Sequence, residues 1–394
     1  MSVAHASASA SVHAYAFRAI SARHTPTPHT HNNNKSRVGV ASPFYRTSTS
    51  IRGLRGSSGG FHCTFRTKCS SSRVFTARVK SARALASRDS LPSGKSIVLT
   101  GGSRGLGFCL AREFAMKGDH ILTCARDPLR LQRAIQAIKN DVPDANIQGV
   151  VADVSTSEGI QALEDAARSQ FQHVDIVVAN AGAASQERKP LRDLEIDDIL
   201  NTVNANVAGG FLVARMALRL FADAPRADER VYHYFSFGFS DAGAMLSQSA
   251  ITHKVTKLML PILDELLRKE LSKESPELER SVGLHQVSPG LLLTDLLLAD
   301  TGAGVKSLVF NAIAEEPRDV ASKLADRLRE ETTANARIEM LPLPNAAMRM
   351  LTTVPRVLMS DESAMRFFTR DGMRVPRDGA VFKDNGVEEL FPGM

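Results

Sequence analysis

The chain of 394 residues has no tryptophan, only four cysteines and four tyrosines, and not one Asp or Glu before Asp89. Each shortage excludes something. Residues 1–88 hold fourteen Lys and Arg without an acidic partner, so the formal charge of +7 is concentrated there, while from position 89 onward 35 basic residues face 42 acidic ones. A folded part with that acidic excess is not built to wrap nucleic acid. Cys63 and Cys69 fall in the basic segment, leaving Cys109 and Cys124 in the body, neither with a CxxC or metal-ligand neighbour. Both sit in apolar runs, which predicts buried thiols, no disulfide and no metal. No apolar run reaches the roughly eighteen residues that cross a bilayer. The densest, LLLTDLLLAD at 291–300, is cut by Asp295, so no transmembrane helix is expected and any membrane contact is peripheral.

What the first 88 residues do have is Ser, Ala, Arg and His in runs such as ASASASVHA, with no sustained helical or strand period. Low acidity with high Ser and Arg is the pattern of an organelle transit peptide, and length and Ser content favour the plastid. A basic tail retained in the mature protein is the plain alternative. From Ser96 the pattern changes. Short β-branched runs (SIVLT at 96–100, DHILTCAR at 119–126, then about 146–152, 174–179, 230–236, 281–287) alternate with helical periods at about 128–141, 157–170, 196–222 and 248–272. Such alternation implies parallel βαβ units and an α/β, Rossmann-type doubly wound sheet in a single domain, closed by a helix at 317–330 and a strand at 336–341. The expected organisation is a disordered transit segment 1–88, a nucleotide-binding domain 89–342 and an extension 343–394 packed on it or mediating contacts.

TGGSRGLG follows the first strand and opens a helix, the context that a dinucleotide loop requires. Gly101, Gly105 and Gly107 permit a tight turn and close backbone approach, with Thr100, Ser103, Arg104 and Leu106 completing the loop, and the helix N-terminus offers free N–H groups to a pyrophosphate. A carboxylate ending the second strand would favour NAD, but Arg126 stands there, and with Arg104 it suits the 2′-phosphate of NADPH. Asp127 beside it pulls the other way.

Three residues between the first two glycines make this loop resemble the short-chain dehydrogenase/reductase family. Asp153-Val154, Asn180-Ala181-Gly182, Asn206 in NANVAGGF, and Ser288-Pro289-Gly290 with Thr294 stand in that family's order. The resemblance implies that the strand-end residues line the adenine pocket and support the sheet, that Asn206 supports a proton-relay water, and that Pro289, Gly290 and Thr294 lie near the nicotinamide. VGLHQVSPGLLLTDLLLAD (282–300), NAIAEEPRDVASKLADRLR (311–329) and LPLPNAAMRML resemble, more narrowly, the chlorophyll b reductases of the non-yellow-coloring type. Those plastid enzymes use NADPH to reduce the 7-formyl group of chlorophyll b to 7-hydroxymethyl. This implies chlorophyll b or chlorophyllide b as the small-molecule substrate, a chloroplast location in the stroma or on the thylakoid surface, and a related reductase subunit or a second copy as a partner.

The family's reductases carry Tyr-x-x-x-Lys on the helix after the fifth strand, both side chains on one face. Here the register reads His253 to Lys257, and no tyrosine lies on that helix. Lys257 would hold the ribose. His253 either donates to the carbonyl oxygen, with a pKa lowered by the Lys257 cation, or is an exposed helical residue of a site no longer catalytic. The family's substrate-binding serine falls at Ser240, with Ser236 as the alternative, and Pro261 inside the helix threatens to shift Lys257. Leu291 to Leu293 and Leu296 to Leu298 form either a substrate lid or a helix packed on its own core. Beside the reductase stand two other readings: a cofactor-binding paralogue that acts as a partner or regulator, and a general plastid carbonyl reductase.

Overall fold

The computed structural model describes residues 94–375, apart from 186–187, 228, 241–242, 245–246, 248 and 299–300. Residues 1–88, expected to be a transit segment, and the last nineteen positions of the extension therefore lie outside the described residues.

Among the described residues seven strands form one parallel sheet: β1 (Ser96–Thr100), β2 (His120–Ala125), β3 (Asn146–Val151), β4 (Ile176–Ala179), β5 (Tyr232–Phe237), β6 (Val282–Ser288) and β9 (Arg337–Glu339), in the order β3-β2-β1-β4-β5-β6-β9. A separate parallel pair joins β7 (Leu291–Leu292) to β8 (Ala314–Glu315). The two-residue period of each strand divides the apolar interior in two. Ile97, Leu99, Ile176, Val178, Phe235 and Phe237 face one core, while Val98, Val177, Tyr232 and Tyr234 face the other. Both faces are thus covered, as a parallel sheet requires.

The first core is closed by α1 (Gly105–Met116), α2 (Pro128–Asp141) and α10 (Pro317–Glu330). Across the sheet lie α3 (Ser157–Gln170), α5 (Gly209–Asp223) and α6 (Ile251–Glu274), with α4 (Ile196–Val203) leading into α5 and packed on α6. Caps fix two of these starts: Asp127 accepts the Arg130 N–H at α2, and Thr156 accepts the Gly159 N–H at α3. The expected helix at 196–222 runs Ile196–Asp223 but carries a π-helical turn, Asn204–Ala208, between α4 and α5. By length and composition this helix could cross a membrane. Its apolar side is already taken, because Val213, Met216, Ala217 and Phe221 are buried in the second core.

Cys109 and Cys124 are buried free thiols, and burial pushes their pKa values up to about 12 and about 11. The extension holds more order than the sequence suggests. It forms a helix of four turns, Leu343–Leu358, that packs Ala346, Met350 and Val354 against Ala312 and Ile313. Beyond it Phe367 and Phe368 join Leu293, Phe310 and Ala314 in a small satellite core. Asn311 fastens this segment, donating to the Phe368 carbonyl and accepting the Phe367 and Phe368 N–H groups.

Candidate active site

Strand order reverses between β1 and β4, which opens a crevice at their carboxyl ends. A cavity of about 440 Å³ occupies it. Gly101 and Gly105 have φ of +73° and +56°, and a Cβ on Gly107 would stand 2.2 Å from the Gly101 carbonyl oxygen. A side chain would be strained at the first two positions and blocked at the third. Asn180 secures the turn, its Nδ2 donating to the carbonyls of Thr100 (3.0 Å) and Gly101 (3.2 Å). Thr100 Oγ1 in turn accepts the Ala181 N–H. Unlike α2 and α3, α1 begins without a side-chain cap, and no acidic residue stands in its first turn. Its first N–H groups and positive dipole end are therefore left for an anion at the cavity. Loop and helix fit a dinucleotide pyrophosphate.

Of the residues selected from the sequence, Ser103, Arg104, Leu106, Arg126, Asp153, Val154, Asn180, Ala181, Gly182, Ser240, His253, Lys257, Pro289, Gly290, Thr294 and the three loop glycines line this cavity. Thr100 and Asn206 do not line it. They border a water-sized void behind it with Tyr234 and Ser236. Asn206 is buried, accepts the Ala183 N–H and donates to the Ala183 carbonyl and to Thr256 Oγ1. At the adenosine end Asp153 accepts from the N–H and hydroxyl of Ser155, with Arg126 3.8 Å away. The Asp127 carboxylate is engaged as a helix cap. Arg130, which the sequence reading passed over, also lines the cavity one turn from Arg126.

The geometry of α6 answers two of the open alternatives. His253 is 6% exposed and lines the cavity against the Phe239 ring, so it is not an exposed helical residue. Burial first, and then the Lys257 charge, lowers its pKa to about 4. Its Nδ1 is buried without a hydrogen-bond partner among the described residues. Lys257 donates from Nζ to the Phe237 carbonyl at 2.9 Å, and burial lowers its pKa to about 8. Ser240 borders the same cavity. Its Oγ accepts the Gly243 N–H and the Ser288 hydroxyl, which leaves its own proton to donate outward. Ser236 instead donates to the buried Asp264 carboxylate and does not line the cavity.

Pro261 does not displace Lys257. Lacking an N–H, it frees the Lys257 carbonyl, which accepts the Phe239 N–H at 3.3 Å and ties the serine loop to the helix. The leucines after the Pro-Gly turn are shared out: Leu291, Leu292, Leu293, Leu297 and Leu298 line the cavity, while Leu293 also packs in the satellite core. Arg374 lines the cavity too, held by Glu316 at 3.1 Å and stacked over Phe368. It stands eighty-four positions past Gly290, and no local motif marks it.

A family model described as short chain dehydrogenase matches residues 95–298. The chain is 25% identical over 289 residues to chlorophyll(ide) b reductase NOL, chloroplastic, of Oryza sativa subsp. japonica, an alignment that covers 73% of this chain and 78% of that protein. It is 27% identical over 297 residues to the probable chlorophyll(ide) b reductase NYC1, chloroplastic, of the same plant, covering 71% of this chain and 56% of the relative. L-sorbose reductase of Gluconobacter frateurii, solved with NADPH and L-sorbose, superposes with a TM-score of 0.51 at 23% identity over 62% of this chain and 95% of that one. That likeness is one of fold.

Proposed function

Because the chain belongs to the short-chain dehydrogenase family, we propose that it is an NADPH-dependent reductase that converts the 7-formyl group of chlorophyll b or chlorophyllide b to 7-hydroxymethyl in the chloroplast. The observation that carries this reading is the convergence of His253, Lys257 and Ser240 on one cavity with the glycine loop and a set of leucines. Arg126 and Arg130 supply charge-assisted donors for a 2′-phosphate, while Asp127, whose Oδ1 caps α2, lines the same cavity.

When bound, the nicotinamide supplies hydride to the formyl carbon. The protein's part is to hold and polarise. Ser240 and the neutral imidazole of His253 donate to the formyl oxygen where negative charge develops. Lys257, with a pKa of about 8, is largely protonated at pH 7, holds the ribose hydroxyls and resupplies the proton that the product alcohol retains. Asn206, fixed by three hydrogen bonds, supports the water behind the site.

A second reading draws on the tyrosine's absence and a His253 pKa of about 4: a cofactor-binding paralogue without turnover. One experiment separates the two. The purified chain with NADPH and chlorophyllide b is expected to yield the 7-hydroxymethyl product, read by the shift of the red absorption band and by chromatography. No product, with NADPH binding intact, would replace the first reading by the second.

A further inference from the structure

After Phe237 closes β5 the chain continues Gly238-Phe239-Ser240. Gly238 lets this turn approach α6 closely, since a Cβ there would stand 3.0 Å from the Lys257 carbonyl oxygen and 3.2 Å from the Pro261 ring. The turn is held from both sides. The Gly238 N–H donates to the Val287 carbonyl of β6 at 3.1 Å, and the Phe239 N–H takes the carbonyl that Pro261 leaves free. From this anchored backbone the Phe239 side chain lines the cavity, its ring 5.2 Å from the His253 ring and tilted by 53°.

His253 needs such a neighbour. A histidine that works through one nitrogen has its tautomer set by the hydrogen bond that the other nitrogen makes. Here Nδ1 is shut away from solvent and meets no hydrogen-bond partner among the described residues. No polar contact at Nδ1 turns the imidazole, so packing must. A neutral imidazole carries a single proton, and a buried N–H without an acceptor is the rarer kind of orphan. The proton therefore belongs on Nε2 and the idle lone pair on Nδ1. Charge does not orient the ring either. Among the described residues Lys257, one turn along the same helix, is the one charge that acts on it, and Phe239 and Ser240, which share the cavity wall with it, are uncharged. Burial outweighs that charge in lowering the pKa of His253, so whatever excludes water from the ring also sets its protonation.

We propose that Phe239 is the positioning residue for His253: its ring screens Nδ1 from water and holds the imidazole as the neutral Nε2–H tautomer, with that N–H turned into the cavity. The state of the imidazole requires no turnover. That its N–H then serves the formyl oxygen rests on the reductase reading, and the two fail separately.

Nitrogen NMR of the full-length chain labelled with ¹⁵N-histidine reads the ring directly, the His253 signal being the one lost in His253→Gln. In the parent chain it should report a neutral ring protonated on Nε2 and stay unchanged from about pH 7.5 to about pH 5. A proton on Nδ1, or titration near the ordinary value of about 6.5, overturns the proposal without any change at position 239. Phe239→Ala keeps the backbone N–H that binds the Lys257 carbonyl but admits water to the ring. His253 should then titrate about one pH unit or more higher, with its two nitrogen signals drawing together as the tautomers exchange. Phe239→Leu, a milder change for the fold, should give an intermediate midpoint. A midpoint unmoved in both variants overturns the proposal. Turnover adds a second readout: Phe239→Ala should lower kcat with chlorophyllide b by about tenfold or more and leave the KM for NADPH unchanged. An unchanged kcat would remove the positioning role, whereas a parent chain without turnover would sink the reductase reading and leave the NMR result standing.

Discussion

His253 sits where its relatives' chemistry calls for a phenol, and its surroundings determine what it can do. Burial and the Lys257 cation keep the imidazole neutral above about pH 4, so it donates as an N–H and not as an imidazolium. A positioned general acid contributes about 10²–10⁴-fold. His253→Tyr is therefore expected to raise kcat by about tenfold or more, measured under saturating NADPH; an unchanged kcat would shift the fault to the serine loop. The pH profile should carry the lysine's mark. On the proposed reductase reading protonated Lys257 is the working form, so kcat is expected to fall as pH rises through about 8, with no acidic limb from His253 between pH 5 and 7. At the other end of the cavity, hydrogen bonds to a charged group contribute about 1.5–3 kcal/mol. Arg126→Ala should weaken NADPH by about 10–100-fold and leave NADH little changed, and equal losses in titrations with both would remove its role toward the 2′-phosphate. Arg126 was legible because it ends a strand. Arg130 was not, because only the turn of α2 brings it back to the cavity.

At the scale of elements, α6 and the loop after β5 act as one piece through the carbonyl that Pro261 sets free. Replacing a helix-interior proline by alanine favours the helix by up to about 3 kcal/mol. The restored N–H would also compete with Phe239 for the Lys257 carbonyl and loosen the segment that carries Ser240. Pro261→Ala should thus raise Tm while lowering kcat, a combination that simple removal of a defect would not give. The strands and helices of the sheet were readable from period alone, since each has one buried face or two. Helix Leu343–Leu358 was not. Its apolar period is one-sided, but Pro342, Pro344 and Pro355 read as breaks, although Pro344 occupies a first-turn position that a helix tolerates.

Across the whole molecule, contacts distant in sequence are the part that no local pattern announces. Arg374 meets Glu316 and the cavity only because Asn311 fastens the segment that carries it. Likewise His233 on β5 and His285 on β6 meet at 2.9 Å beside Phe235 on the first-core face of the sheet, and their hydrogen bonds run in one direction: the Ala336 N–H to His285 Nδ1, His285 Nε2 to His233 Nδ1, His233 Nε2 to the Arg230 carbonyl. Each ring holds one proton, and a second would break the chain. Burial lowers their pKa values to about 4 and about 3, against about 6.5 in an unfolded chain. Between those values the unfolded state binds more protons, so stability is complete above about pH 6.5 and is lost as pH falls toward 4. His253 acts in the same direction. Asp264, raised to about 7 by burial, and Asp119, also raised by burial, act in the opposite one, because their folded forms take up protons first. Histidines outweigh carboxylates, so the urea midpoint should drop between pH 6.5 and 4.5. In a His233→Gln, His285→Gln double variant the midpoint should start lower and fall less steeply over that range. A slope equal to that of the parent chain would show that this buried pair does not govern the acid limit of the fold.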